Sequence, residues 1–325
     1  MRHPPDVSIV IPCYRSEQSL PTLMERVSQT MSAAKESFEV VLVEDGSPDG
    51  TWNVIAELAR RYPFIRGFRL MRNYGQHNAL LCGIRAARGE TIVTIDDDLQ
   101  NPPEEIPRLL SKLHEGYDVV YGTPQKEAHG FLRDAASQLT KLVLQKSMGA
   151  ATARNISAYR VFRARLRDAF AEYRGSFVSI DVLLTWGGAR FTAIPVKNDP
   201  RTIGASNYTL YKLISHSLNM MTGFGTAPLQ VASLLGFVFT LIGAAIFLYV
   251  IGSYLLHGSP VQGFPFLASA IAIFSGAQLF ALGIIGEYLA RIHARTIDRP
   301  SFTIDSTTDQ EKPDETRSGE PAGLS

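Results

Sequence analysis

Short apolar runs alternate with helical repeats along the first 125 residues. "VSIVIP" (7–12), "FEVVLVED" (38–45), "FIRGFRLM" (64–71), "TIVTID" (91–96) and "DVVYG" (118–122) are rich in Val, Ile and Phe and end at turn residues. Between them, Leu20, Leu23, Met24 and Val27, then Ile55, Leu58 and Ala59, recur at helical spacing. Strands alternating with helices predict an α/β fold, a mostly parallel sheet covered on both faces. In such sheets ligands gather beyond the carboxyl ends of the strands. The polar clusters fall there: "CYRSE", "EDGSPDGT", "RNYGQH" and "DDDLQ" follow the first four strands. They are expected to form one site.

The last third has another pattern. Residues 229–256 and 264–286 are two uncharged apolar runs, joined by "HGSPVQG". At about 1.5 Å rise per residue, the first exceeds the thickness of a bilayer core. The pair predicts a two-helix transmembrane hairpin. Arg201 and Lys212 precede it, and Arg291, Arg295 and Arg299 follow. The positive-inside bias puts both ends, and the body before them, on the cytosolic face. "FLRDAASQLTKLVLQKSMG" (131–149) and "YTLYKLISHSLNMM" (208–221) are amphipathic and expected at the membrane interface. The expected organisation is a catalytic body over 1–203, an interfacial helix and linker over 204–228, two spans over 229–288, and a cytosolic segment over 289–325. The polar, Pro-containing tail from Ser306 reads as disordered.

Composition removes some alternatives. A formal net charge of +1 gives nucleic-acid binding no electrostatic support. Cys13 and Cys82 have neither disulfide nor metal-site spacing and read as core residues in a reducing compartment. The amino-terminal residues run directly into a strand without the apolar stretch of a signal peptide.

The chemistry sits in the loops. Asp96 and Asp98 form an Asp-x-Asp after an apolar strand, a source of hard oxygen ligands for Mg²⁺ or Mn²⁺. Such an ion neutralises charge on substrate phosphates. In "EDGSPDGT", Gly46 and Gly50 permit positive φ, Pro48 fixes a turn and Thr51 is placed to cap the next helix. Asp45 is left as an acceptor for a nucleobase or ribose. The sequence contains neither G-x-G-x-x-G nor a Walker lysine motif, so dinucleotide and P-loop chemistries lack their anchors.

In order and spacing, "VSIVIPCYRSEQSL", "VVLVEDGSPDGT", "MRNYGQHNALLCGI", "TIDDDLQNPPEEIPRLL" and "EGYDVVYG" resemble inverting family-2 glycosyltransferases of the Rossmann-like GT-A fold. The likeness is nearest to polyprenyl-phosphate glycosyltransferases, which include dolichyl-phosphate mannose synthases and undecaprenyl-phosphate aminoarabinose transferases. It runs from about residue 6 to 302 and includes "GAQLFALGIIGEYLARIHA".

The resemblance implies that Pro12, Tyr14 and Asp45 line the nucleotide pocket; Gln76 and Asp97, in the neighbouring polar loops, are also expected on the donor side. Asp96, Asp98 and Gln100 match the metal and diphosphate motif. Arg133 and Ser137 of "FLRDAAS", and Arg201 and Ser206 of "RTIGASNY", are assigned to the acceptor phosphate. The implied partners are a nucleotide diphosphate-sugar, a polyprenyl phosphate, the membrane and further copies of the chain, as in a tetramer. Asp97 replaces the family's usual Ala, Ser16 a Glu and Asn207 a Lys. "YGTPQKE" lacks a family arginine, and "TARNISAYRVFR" an acidic residue. A decayed, non-catalytic membrane scaffold is the rival, opposed by the complete "DDDLQ". Processive polysaccharide synthesis lacks its Gln-x-x-Arg-Trp segment.

Overall fold

The computed structural model describes residues 4–124, 156–175, 178–199, 227–257, 264–297 and 299–310. The chain forms two compact units, one of Met1–Asn207 with Arg299–Ser325, the other of Tyr208–Asp298.

The first unit is built on strands β1 (Val7–Cys13), β2 (Phe38–Glu44), β3 (Ile65–Leu70), β4 (Thr91–Thr94), β5 (Val119–Pro124), β6 (Arg160–Arg163), β7 (Phe191–Val196) and β8 (Ile304–Thr307). They form one sheet in the order β7-β5-β6-β4-β1-β2-β3-β8. β1 pairs in parallel with β2 and β4, β2 with β3, and β5 with β7. β6 and β8 run the other way. The carboxyl ends of β1 to β5 and β7 therefore share one edge.

Strand periodicity explains the two-sided core. Ile9, Ile11 and Cys13 of β1 face one apolar cluster with Val40 and Leu42 of β2. Val10 faces the other with Val41 and Val43. Helices α1 (Leu20–Ala34), α2 (Thr51–Arg61) and α4 (Ile106–His114) supply Leu23, Ile55 and Leu109 to the first cluster. Helices α3 (Gln76–Ala86) and α5 (Ile180–Gly187) supply Leu80 and Leu183 to the second. Each such side chain contributes roughly 1.5–3 kcal/mol by leaving water. Cys13 and Cys82 are buried free thiols, and burial pushes Cys82 up to about 12.

The five strands expected from the sequence are present, within a residue or two of their predicted ends. β6, β7 and β8 were not foreseen. β8 corrects the start of the tail expected to be disordered from Ser306: Ile304–Thr307 pairs antiparallel with β3, and a 3-10 turn follows over Thr308–Gln310, while residues 311–325 lie outside the described residues. Asp309 then pairs with Arg66 at 3.0 Å, and the Gly67 N–H donates to Thr308 Oγ1 at 2.9 Å.

The second unit holds two long helices, Ala227–His257 and Phe264–Thr296. Their stretches Leu229–Ser253 and Ile273–Ala290 are long and apolar enough to cross a membrane and are not buried within the chain. Phe239 and Phe274 meet edge-on at 5.9 Å between the two helices. The expected interfacial helices at 131–149 and 208–221 lie outside the described residues.

Candidate active site

Four loops converge at the carboxyl edge of the sheet. After β1, the Tyr14 N–H donates to Asp97 Oδ2 at 3.1 Å, and the Ser16 hydroxyl donates to the same oxygen. The Ser16 N–H donates to Thr51 Oγ1 at 2.9 Å, and the Arg15 N–H to Ser47 Oγ at 2.8 Å. Arg15 adopts φ 59° to make this turn, a left-handed conformation uncommon outside glycine.

After β2, Asp45 is buried, with 3% of its surface exposed. Its Oδ1 accepts the Tyr74 N–H at 2.7 Å and its Oδ2 the Gly75 N–H at 2.8 Å. Burial raises its pKa, opposed by those two amides. One carboxylate thus clamps the loop after β2 to the loop after β3. Gly46 makes the approach possible: at φ +59° it lies so close that an added Cβ would sit 2.3 Å from the Arg72 carbonyl carbon. Gly50, by contrast, has φ −75° and precedes α2, so the expectation that it uses its conformational freedom is corrected. Thr51 is likewise not the helix cap. It is the first residue of α2, and Asp49 Oδ1 accepts its N–H at 3.3 Å.

After β4 come Asp96, Asp97 and Asp98. Gln76 Nε2 donates to Asp96 Oδ1 at 2.6 Å, and the Gln100 N–H to Asp98 Oδ1 at 3.1 Å. Between them Leu99 takes φ 63°, a strained value that turns the chain sharply behind the aspartates. Burial, Asp98 and Asp97 together push Asp96 up to about 7. Burial likewise raises Asp97, opposed by its bonds from Ser16 and Tyr14.

A cavity of about 300 Å³ opens among these loops, lined by Pro12, Cys13, Tyr14, Asp45, Asn73, Gly75, Gln76, Asp96, Asp97 and Asp98. The structure therefore gathers all the sequence-selected donor-side residues with Asp96 and Asp98. Gln100 follows in the same turn and does not line the cavity. Arg133, Ser137, Arg201 and Ser206 lie outside the described residues. Asp97 faces the same cavity as its neighbours while tying the β1 loop to the β4 loop.

Sequence reasoning missed Arg160. It is 1% exposed and sits on β6 opposite Thr94. Its Nε donates to Thr94 Oγ1 at 3.0 Å, and Nη1 pairs with Asp181 Oδ1. The Tyr121 hydroxyl donates to the same oxygen at 3.1 Å. Its positive charge beneath the aspartates lowers the pKa of Asp96 against the stronger upward effects. The only signal was an arginine inside an apolar alternation, "YRVF".

Among the described residues, no three or more His, Cys, Asp or Glu side chains form a group able to hold a metal ion. A pair of carboxylates completed by substrate oxygens and water is the alternative, and it suits Mg²⁺ or Mn²⁺. The mutual repulsion expressed in Asp96 is what such an ion would relieve.

Residues 8–174 match the family described as Glycosyl transferase family 2. The undecaprenyl-phosphate 4-deoxy-4-formamido-L-arabinose transferase of Proteus mirabilis (strain HI4320) is 34% identical over 310 residues, covering 94% of this chain and 95% of that protein. The enzyme of the same name from Klebsiella pneumoniae (strain 342) is 34% identical over 309 residues, covering 94% of each. Among solved structures, the glucosyl-3-phosphoglycerate synthase of Mycobacterium tuberculosis, with Mn²⁺, UDP-glucose and phosphoglyceric acid, matches with TM-score 0.51 and 16% identity. That match covers 67% of this chain and 78% of that one. The structural likeness confirms the GT-A fold, and on the family match and the two relatives the chain belongs to glycosyl transferase family 2.

Proposed function

We propose that this glycosyltransferase moves a sugar from a nucleotide diphosphate-sugar, UDP-linked, to undecaprenyl phosphate at the cytosolic membrane face. The product is a lipid-linked sugar for modifying the cell envelope. The observation that carries the reading is the loop cavity, with three aspartates and the Asp45 clamp at the carboxyl edge of the sheet. Relatives named for transfer to undecaprenyl phosphate supply the acceptor, and the UDP-glucose in the mycobacterial structure suggests the donor nucleotide.

A phosphate monoester has a second pKa near 6, so the acceptor is already largely anionic at neutral pH. An acceptor oxygen forms the bond to the anomeric carbon. The bond to the donor diphosphate breaks on the opposite face, the electron pair leaves with the nucleoside diphosphate, and the configuration inverts. No proton has to move, so a strong protein base is unnecessary. Asp96 and Asp98, with Gln100 beside them, would hold Mg²⁺ or Mn²⁺, whose charge offsets that on the departing diphosphate. Pro12, Tyr14, Asp45 and Gln76 would line the nucleotide side. Arg133, Ser137, Arg201 and Ser206 would receive the acceptor phosphate.

Chain connectivity supports the membrane arrangement. The two apolar helices lie between parts of one unit, because β8 after them joins the sheet begun by β1. Both ends of the hairpin therefore belong on one side of the bilayer, which is cytosolic by the arginines flanking it. The test is incubation of the purified full chain with undecaprenyl phosphate and a panel of nucleotide-sugars, weighing the lipid product. A lipid mass increased by one glycosyl unit is expected. No product with any donor, in Mg²⁺ or Mn²⁺, overturns the reading.

A further inference from the structure

A second cavity, of about 420 Å³, lies at the other end of the sheet. It opens where β4 begins and β6 ends, around Thr91 and Arg163, which pair across the two strands. Thr91 stands five residues before Asp96, roughly 16 Å away at about 3.3 Å per residue. The proposed transfer reaction has no use for this place.

Its lining is cationic. Arg88, Arg163, Arg165 and Arg167 face it with His114, against the two carboxylates Glu90 and Asp168. Arg163 donates from Nε to the Tyr117 carbonyl at 3.2 Å and from Nη2 to the Leu113 carbonyl at 3.4 Å. Arg167 donates from Nη1 to the Ala87 carbonyl. The Leu113 and Ala87 carbonyls lie at the ends of α4 and α3 and the Tyr117 carbonyl in the loop before β5, so each guanidinium is held by neutral acceptors. The bonds orient the charge without cancelling it. Neither arginine has an ion-pair partner among the described residues, and both are half-buried. Arg165 is offset by Asp118 at 3.1 Å, and Arg88 by Asp309 at 3.7 Å, both at the exposed rim.

Fixed guanidinium forks that keep spare N–H donors suit a group presenting several anionic oxygens in more than one plane. Phosphoryl oxygens do this better than a single carboxylate. The volume is within the usual range for small-molecule sites, about 300–1,000 Å³. We propose that this cavity is an anion site, distinct from the aspartate cavity, that takes a phosphoryl-bearing ligand. The phosphoryl group comes either from a soluble phosphorylated molecule or from an anionic lipid headgroup.

The experiment titrates inorganic pyrophosphate into the full chain at constant ionic strength. A chelator is present so that the aspartate cavity, without a cation, repels the probe. Saturable binding of one pyrophosphate per chain is expected. Arg163→Gln with Arg167→Gln should weaken it about 10-fold or more. Because those arginines also hold two helix ends, Arg88→Gln with Arg165→Gln provides a second variant, which removes rim charge while leaving the carbonyl bonds intact. It should weaken binding about 3-fold or more, and its melting temperature should fall only slightly, since exposed ion pairs contribute about 0–1 kcal/mol each. Repeating the titration in nanodiscs separates the sources. Competition by phosphatidylglycerol but not phosphatidylcholine identifies a headgroup, and equal binding in both identifies a soluble ligand. Heat that never saturates, or an affinity unchanged in both variants, overturns the proposal. Since neither donor nor acceptor is present, the result is independent of the transfer reading.

Discussion

The Ser16 hydroxyl donates to the Asp97 carboxylate, which also accepts the Tyr14 N–H at 3.1 Å. Both residues depart from the pattern this chain otherwise resembles, with Ser for Glu and Ala replaced by Asp. The two departures touch. The carboxylate of Asp97, from the β4 loop, ties that loop to the β1 loop.

Asp97→Ala should release the Tyr14 loop and raise the donor KM, leaving the lipid KM unchanged. Hydrogen bonds to a charged group are worth about 1.5–3 kcal/mol, so an effect of roughly 10-fold or more is expected. Ser16→Glu in the Asp97→Ala background restores a carboxylate from the other side and should recover much of that loss. Steady-state kinetics on the two variants checks both statements. A double variant no better than the single one would show that the exchange is not reciprocal.

Asp96 gives a pH dependence with a definite sign. Its folded-state pKa is raised from 3.8 to about 7, so without a cation the folded state holds a proton that the unfolded chain releases earlier. The stability this contributes is full below about pH 4 and is lost as pH rises through about 7. At the proposed metal site a cation would compete with the same proton, so its affinity should climb with pH up to about 7 and level off above. Asp96→Asn should make the melting profile of the catalytic unit in chelator less steep with pH, and should abolish the rise in melting temperature expected of the parent chain in Mn²⁺. Calorimetry across pH 4–8, with and without Mn²⁺, reads both effects.

Arg160 and Asp181 form a buried pair, 1% and 7% exposed. Removing one partner strands the other charge. Arg160→Met should therefore cost about 3–5 kcal/mol of stability, while Arg160→Met with Asp181→Leu should cost less than the single change. Denaturant unfolding of the three proteins measures the difference. Equal losses in the single and double variants would show that the charge on Asp181 is not what makes the single change costly.

These residues also show what could be seen in the sequence. The Asp-x-Asp was legible because a period-two apolar run ends directly before it, and strand ends of an open α/β sheet are where ligands collect. Asp45 was legible as a site residue, but its engagement by the Tyr74 and Gly75 amides was not, because that clamp needs the spacing between two loops. Arg160 was hidden because its place under Asp96 follows from β6 entering antiparallel between β4 and β5. No local pattern in "YRVF" announces that crossover. β8 was hidden for the same reason: four residues beyond an apolar hairpin acquire their meaning only by pairing with β3.

That last strand changes what truncation means. Ending the chain before the first apolar helix removes the hairpin, but it also removes Arg299–Gln310. The Met71 N–H donates to the Thr303 carbonyl at 3.0 Å, Ser301 Oγ donates to the Gly175 carbonyl at 2.8 Å, and Phe302 packs on the second core cluster. Tyr74, whose amide is held by Asp45, also accepts help from this segment, since a bond with Thr303 lowers its pKa. A chain ending at residue 207 should therefore lose the edge strand, melt at a lower temperature and bind donor weakly. A chain in which 208–298 is replaced by a flexible Gly/Ser linker should keep β8, its stability and its donor affinity, while losing use of long-chain lipid in membranes. Comparing the two by melting and by donor titration separates the hairpin from the strand that follows it. Equal behaviour of the two chains would show that β8 contributes nothing to the donor side.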